Sequence, residues 1–169
     1  MERKNWYVRE GPFGDSLFAK RDFSKGELIG YYTGFWYVEN EINWSNMTDL
    51  EQWDFHKNLI RLEDNLDINV PKDYWNITKY KATLGHKVNH SFIKTNTVYG
   101  NAYNPRFGKC ICHIATKNIK KYEELWTNYH YEDGDDVPEW YKEVRKIELG
   151  KEFGVKKRAE RADRIDRGR

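Results

Sequence analysis

The chain has 169 residues, with 38% apolar residues and 16% aromatics, which suits one domain with a packed core and heavy use of Trp and Tyr for burial. No stretch approaches the roughly 18 apolar residues of a membrane helix, and the opening MERKNWYVRE lacks the apolar centre of a secretory signal. Net charge is only +2, unevenly placed: from Lys151 onward eight basic residues face four acidic ones, and the preceding body is slightly negative.

In chain order, Gly11 to Asp15 is turn-rich and Leu17-Phe18-Ala19 starts a strand. Ser24-Lys25-Gly26 makes the next turn, and Glu27 to Tyr32 alternates as a second strand, so these two are expected to form a hairpin. Residues 39 to 69 predict a short helix, a strand from Asn58 to Leu62, and a hairpin turning at Asp64-Asn65 and closed by Pro71. Tyr74 to Thr83 reads as a short helix or turn delivering the chain to Gly85. Asn96 to Ala102 and Lys109 to Ile114 are two strands joined by the turn NPRFG. Cys110 and Cys112 alternate along the second of these and point the same way, a spacing that suits core packing in a reducing compartment rather than a disulfide. A polar turn at Lys117 to Tyr122 precedes a strand expected to end in the alternating Tyr129 and Tyr131. After the acidic loop EDGDD, Pro138 starts a helix carrying Trp140, Tyr141 and Val144. In the terminal stretch Glu160 and Asp163 stand four residues before Arg164 and Arg167, the order that supports an exposed helix. It is read as a solvated charged helix or frayed terminus, with a weak nucleic-acid contact or a nuclear-import patch through Lys156, Lys157 and Arg158 as the sharper reading.

Two stretches organise the rest. LGHKVNHSF, residues 84–92, places Asn89, His90 and Ser91 in a row behind the hinge of Gly85. YEELWTNYHY, residues 122–131, runs an acidic turn into the tyrosine pair. His86 and His90 have the four-residue spacing of a helical metal pair, but Gly85 interrupts any helix and no Cys or Asp cluster completes a ligand set, so no metal is expected. Asn89 has donor and acceptor groups for a zwitterionic ligand, and His90 offers an aromatic face; a turn satisfied by its own Asn and Ser is the plainer reading of the segment alone.

Asn-His-Ser followed some thirty residues later by Glu-Glu-Leu and a tyrosine pair resembles the SET domain, the fold of most protein-lysine methyltransferases that use S-adenosylmethionine. GDSLFAKRDFSKGELIGYYTG resembles the opening of that domain. VPKDYWNITKYKATLGHKVNHSF, the NPRFG turn and PEWY are similar to the MORN-repeat type of histone H3 lysine-4 monomethyltransferase, over roughly Gly14 to Val144. The likeness includes neither MORN repeats nor a cysteine-rich post-SET module, whose place a carboxy-terminal helix takes in that type. It implies a mostly β, α+β fold of small sheets with a threaded pseudoknot and a short carboxy-terminal helix, residues 1–148 forming the domain and 149–169 a basic tail.

The resemblance also implies roles. Tyr129 matches the catalytic tyrosine, and Tyr32, Tyr99 and Tyr131 the others around a lysine channel. Phe13, Gly14, Asp15, Asn89, His90 and Trp140 match cofactor-contacting positions, with Glu143 standing in for an acidic residue whose place Val144 takes. Phe13 and Asp15 depart from the Ala and Glu of the family, and Asp15 is one methylene shorter. Asp49 and Lys109 match substrate-groove positions. The implied cofactor is S-adenosylmethionine, the implied partner a basic protein or peptide such as a histone H3 tail, and the implied location nuclear or chromatin-associated, with cytoplasmic as the alternative. A non-histone lysine target and a catalytically silent SET-fold binding module stand as the alternatives.

Overall fold

The structure, a computed structural model, describes residues 4–11, 14–76, 83–131 and 137–151. Strand β1, Trp6–Gly11, pairs antiparallel with β2, Gly14–Ala19, from Trp6↔Ala19 to Gly11↔Gly14. The hairpin expected between residues 17–19 and 27–32 does not form. Strand β3, Leu28–Tyr32, leaves for β9, Gly108–Ala115, because the turn before it hands its backbone across: Gly26 N donates to Ala115 O and Ala115 N to Glu27 O. Alternation identifies a strand from local residues alone, whereas the partner depends on distant burial.

Strand β4, Phe35–Val38, was not foreseen; it pairs with β6, Leu66–Asn69, which also pairs with β5, Ile60–Glu63. The expected β5–β6 hairpin is present, with Asn65 at its turn at φ 61°, a conformation Asn tolerates better than most residues. Helix α1, Asp49–His56, starts at a full capping box: Thr48 accepts from Glu51 N, and Glu51 accepts from Thr48 N. Strand β8, Thr97–Asn104, and β9 keep unbroken register from Thr97↔Ala115 to Asn104↔Gly108, turning at the NPRFG sequence. Cys110 and Cys112 are free and buried, as their spacing implied. Burying each large aliphatic such as Leu17, Ile29 or Ile68 stabilises the fold by about 1.5–3 kcal/mol.

Two short strands, β7 (Asn89–His90) and β10 (Trp126–Thr127), pair in parallel and put the two organising stretches side by side. The chain at 124–127 is clasped from several directions. Ser91 N donates to Thr127 O, Leu125 N to Leu17 O, and Asn96 N to Trp126 O. Asn96 acts like a strand of its own: its Oδ1 accepts from Trp126 N at 2.8 Å and its Nδ2 donates to Glu124 O at 2.8 Å. The strand expected to carry the tyrosine pair ends early, at Thr127. Asn128 Oδ1 takes His130 N at 2.8 Å and His130 sits at φ 57°, so Tyr129 and Tyr131 project from an irregular turn.

Helix α2, Glu139–Leu149, begins after Pro138 as expected and ends at Gly150 in the left-handed conformation. Val137 and Tyr141 are buried against Phe92, Tyr129 and Tyr131. The acidic loop at 132–136 and the basic stretch from 152 lie outside the described residues, as do residues 77–82 of the short helix or turn expected from Tyr74 to Thr83. Among the described residues no helix is long and apolar enough to cross a membrane.

Candidate active site

Two adjoining cavities meet at the β7–β10 junction. The first, of about 340 Å³, is walled by Tyr32, Tyr99, Tyr129 and Tyr131 together with Gly85, Val88 and residues 57–61. The second, of about 470 Å³, is walled by Asn89, His90, Trp140 and Val144, with Trp75, Lys87 and Pro138. Lys57, Asn58, His86, Tyr129 and Tyr131 line both. One space therefore has a tyrosine-rich end and an end of mixed aromatic and polar character.

Two of the four tyrosines are held by hydrogen bonds to backbone. Tyr129 Oη donates to Val88 O at 3.0 Å while its N donates to His90 Nδ1 at 3.1 Å, so both ends of the residue are fixed to the Asn-His-Ser segment. Tyr32 Oη donates to Asn58 O at 2.6 Å and ties β3 to the stretch after α1. Burial pushes the Tyr129 and Tyr99 hydroxyls well above the ordinary tyrosine range, with neighbouring tyrosines acting in the same direction. At neutral pH they are protonated, able to donate and accept but not to act as bases. Gly85 is required here by close approach: a Cβ would stand 2.7 Å from Tyr31 O and 3.0 Å from Tyr32 Cα. The buried His113 fixes the same glycine, its Nε2 lying 3.1 Å from Gly85 O and its ring 5.0 Å from Tyr99.

At the other end, His90 packs among aromatic rings, with Phe92 at 4.4 Å and Tyr141 at 4.6 Å between centroids. Burial pushes its pKa down to about 4, so the ring is neutral. Its Nδ1 accepts from Tyr129, which places the proton on Nε2. Asn89 Nδ2 donates to Ser16 Oγ at 2.8 Å, and Lys87 pairs with Asp15 at 3.0 Å, so strand β2 is bound to this wall at two points. Gly14 sits at φ 93° with open space where a Cβ would be; its turn, not crowding, is what calls for glycine. Trp140 leaves 42% of its surface exposed at the rim, unusual for so large an apolar side chain.

Of the residues singled out in the sequence, Tyr32, Tyr99, Tyr129, Tyr131, Asn89, His90 and Trp140 converge on this space. Asp15 joins it through Lys87. Glu143 does not: it is exposed on α2, and Val144 lines the wall instead. Asp49 is exposed at the start of α1, away from both cavities. Lys109 pairs with Glu63 and borders a separate groove of about 330 Å³ with Phe35, Trp36 and Phe107. Phe13 lies outside the described residues. His86, weighed only as half of a metal pair, lines both cavities, and Lys87 in the same LGHKVNH stretch was missed. Residues 57–61 were missed because only tertiary pairing brings them to the cavity. Among the described residues no three His, Cys, Asp or Glu side chains cluster as a metal site.

A zwitterionic ligand with an aromatic head fits the second cavity. Asn89 and the Lys87–Asp15 pair supply polar and charged groups, and Trp140 and His90 supply aromatic surface. The chain belongs to the SET-domain family, whose domain matches residues 14–130. The histone-lysine N-methyltransferase SETD7 of Halocynthia roretzi is 33% identical to it over 160 residues, which cover 90% of this chain and 38% of that protein. This chain therefore spans well under half the length of that curated relative. Among solved structures, a Plasmodium falciparum chain described as a histone methyltransferase shares the fold at a TM-score of 0.51 and 18% identity, over 76% of this chain and 95% of that one.

Proposed function

We propose that this chain is an S-adenosylmethionine-dependent protein-lysine N-methyltransferase that adds a single methyl group to a lysine of a histone H3 tail, of the lysine-4 type, in the nucleus on chromatin. The observation that carries the reading is the joining of the tyrosine-walled cavity to the Asn89–His90–Trp140 cavity, with Tyr129 and Tyr131 at the junction. Bound in the second cavity, the cofactor would supply a methyl group activated by a sulfonium charge. Asn89, Lys87 and Asp15 would hold its amino-acid end, and His90 and Trp140 its adenine.

The protein's own residues explain the rest. A lysine amine has a solution pKa near ~10.4 and must release its proton to bulk water before it can attack. A dry aromatic channel lowers that pKa by disfavouring the charged form. Tyr129 and Tyr99, protonated and fixed, orient the amine's lone pair instead of removing its proton. Alignment then supplies most of the acceleration. Tyr99 also fills the channel and, with its hydroxyl, leaves room for only one methyl group.

Transfer of labelled methyl to purified core histones, with Tyr129→Phe alongside, tests the reading. Label on H3 that drops by about a hundredfold or more in the variant is expected, the scale of losing one oriented group at a reacting centre. Label of equal strength in both proteins would remove Tyr129 from the catalytic role. Tyr99→Phe is expected to shift the product from mono- toward di- and trimethyl-lysine by mass spectrometry. Mostly trimethyl product from the unmodified protein, with no rise in Tyr99→Phe, would sink the monomethylation reading.

One observation favours a non-histone target as a second reading. The tyrosine-walled cavity includes Lys57 and Arg61 and no carboxylate among its described lining residues. The acids that pair with these cations, Asp54 and Asp67, are the less exposed partners behind them. Such a rim suits acidic residues beside the target lysine better than a uniformly basic tail. Methylation of a peptide library varied around one lysine separates the two readings by whether Asp and Glu or Lys and Arg are preferred.

A further inference from the structure

The last turn of α2 makes a contact that the cavities themselves do not require. The Glu148 carboxylate accepts from Ser91 Oγ at 2.9 and 3.0 Å, from Phe92 N at 2.7 Å, and more weakly from Ile93 N at 3.4 Å. Ser91 is fully buried, and its hydroxyl oxygen also accepts from Lys94 N at 2.9 Å. One oxygen thus closes the turn at 91–94 and engages the helix. Hydrogen bonds to an ionised acceptor are about twice as strong as neutral ones, and losing this acceptor strands a buried hydroxyl and a backbone N–H.

The placement gives the contact its meaning. Glu148 follows Tyr141 by seven residues, two turns along the same helical face. Val144, between them, lines the cofactor-side cavity, as does Trp140. Asn89 and His90, immediately before Ser91, line the facing wall. One carboxylate therefore ties the helix bearing one wall to the segment bearing the other.

We propose that Glu148 is a positioning residue of the cofactor-side cavity: it sets the spacing between α2 and the Asn89–His90 segment, and so the affinity for an S-adenosyl ligand, without touching that ligand. The inference rests on reading this cavity as the cofactor site. A role in helix stability alone would lower the melting temperature and leave the affinity of the folded protein unchanged.

The test is calorimetric binding of S-adenosylhomocysteine to the full chain, at a temperature where circular dichroism shows each variant folded. Glu148→Ala is expected to bind about tenfold more weakly, the scale of one or two lost charge-assisted hydrogen bonds. Glu148→Gln, which keeps an acceptor for Phe92 N, should recover most of that loss. Ser91→Ala should weaken binding by about threefold. The double variant should be no weaker than Glu148→Ala by more than twofold, as two members of one contact require. With saturating cofactor, the methyl-transfer rate of Glu148→Ala should stay within about twofold of the unmodified protein. Ile147→Ala, at an exposed position on the same turn, is the control. Unchanged affinity in Glu148→Ala overturns the proposal, as does an equal loss in Ile147→Ala. If Glu148→Ala does not fold, unchanged affinity in Ser91→Ala overturns it instead. Failure of the folded unmodified protein to bind S-adenosylhomocysteine is a different result, and it removes the cofactor reading itself.

Discussion

The two three-stranded sheets both contribute to the tyrosine-walled cavity, yet they are built differently. The β3–β9–β8 sheet has an interior central strand: Cys110, Ile111, Cys112 and His113 are buried in sequence, and β8 and β9 pair without a break, while Leu28, Val98 and Tyr103 on the flanking strands are exposed. Its residues are fixed from several directions at once, as His113 is between Gly85 and Tyr99. Each sheet carries one register shift, at Leu28/Gly30 in the first and Arg61/Glu63 in the second, but the β4–β6–β5 sheet exposes three residues of one strand, Phe35, Trp36 and Val38. Around it, a capping box and ion pairs such as Asp54 with Lys57 and Lys72 supply much of the polar holding. The first sheet contributes Tyr32 and Tyr99, which the proposed chemistry needs in fixed geometry. The second contributes the rim at 60–61, where tolerance to change would retune the target without disturbing the reaction. On the proposed reading, chemistry and recognition fall on parts of different construction.

The sharpest way to break this contrast is acid. Burial pushes the His113 pKa down to about 4, its bond to Gly85 O acting weakly the other way. An unfolded histidine titrates near ~6.5, so on acidification the unfolded chain takes up this proton first. The stability due to neutral His113 is complete above that value and drains as pH falls toward 4, by about 3 kcal/mol in total. Urea unfolding at stepped pH should show the loss, and His113→Gln should flatten the slope by one proton. An unaltered slope would mean the interior sheet is not the acid-sensitive part. A smaller effect is expected from Thr48→Ala, which removes the α1 cap and should cost about 1 kcal/mol in the same assay. If the outlying region is as independent as its packing suggests, hydrogen exchange in that variant will rise over 49–63 and not over 97–115. Smallest of all, Lys72→Ala removes one of the two cations paired with Asp54 and should leave stability almost unchanged in the same assay. A larger loss would show that surface charge, not only the cap, holds this region.

How much of this was legible in the sequence follows from the same contrast. The β8–β9 hairpin was readable because NPRFG marks a turn and Cys110 and Cys112 mark alternation, both local signals. Helix α2 was readable from Pro138 and the spacing of its aromatics. The partner of β3 was not, because its ladder is set by Ala115, far away in the chain. Strand β4 was hidden because Phe35, Trp36 and Val38 are all substantially exposed and give no alternation of buried and polar positions. In the site, residues belonging to short motifs were found and converge. Asp49 and Glu143, placed by likeness in the stretches that differ most, do not reach the cavities. Glu148 was overlooked although its spacing from Tyr141 and Val144 puts it on the inward face of the helix.

The paired thiols of the interior sheet have a practical consequence. Cys110 and Cys112 are each about 1% exposed, and neither is in a disulfide. A thiol reagent can therefore reach them only when the sheet that carries Tyr99 opens. The rate of their alkylation under native conditions is a clock for that opening, built into the chain without any added label. Read with and without ligand, it would report whether filling the neighbouring cavities slows the breathing of the wall on which the proposed chemistry depends.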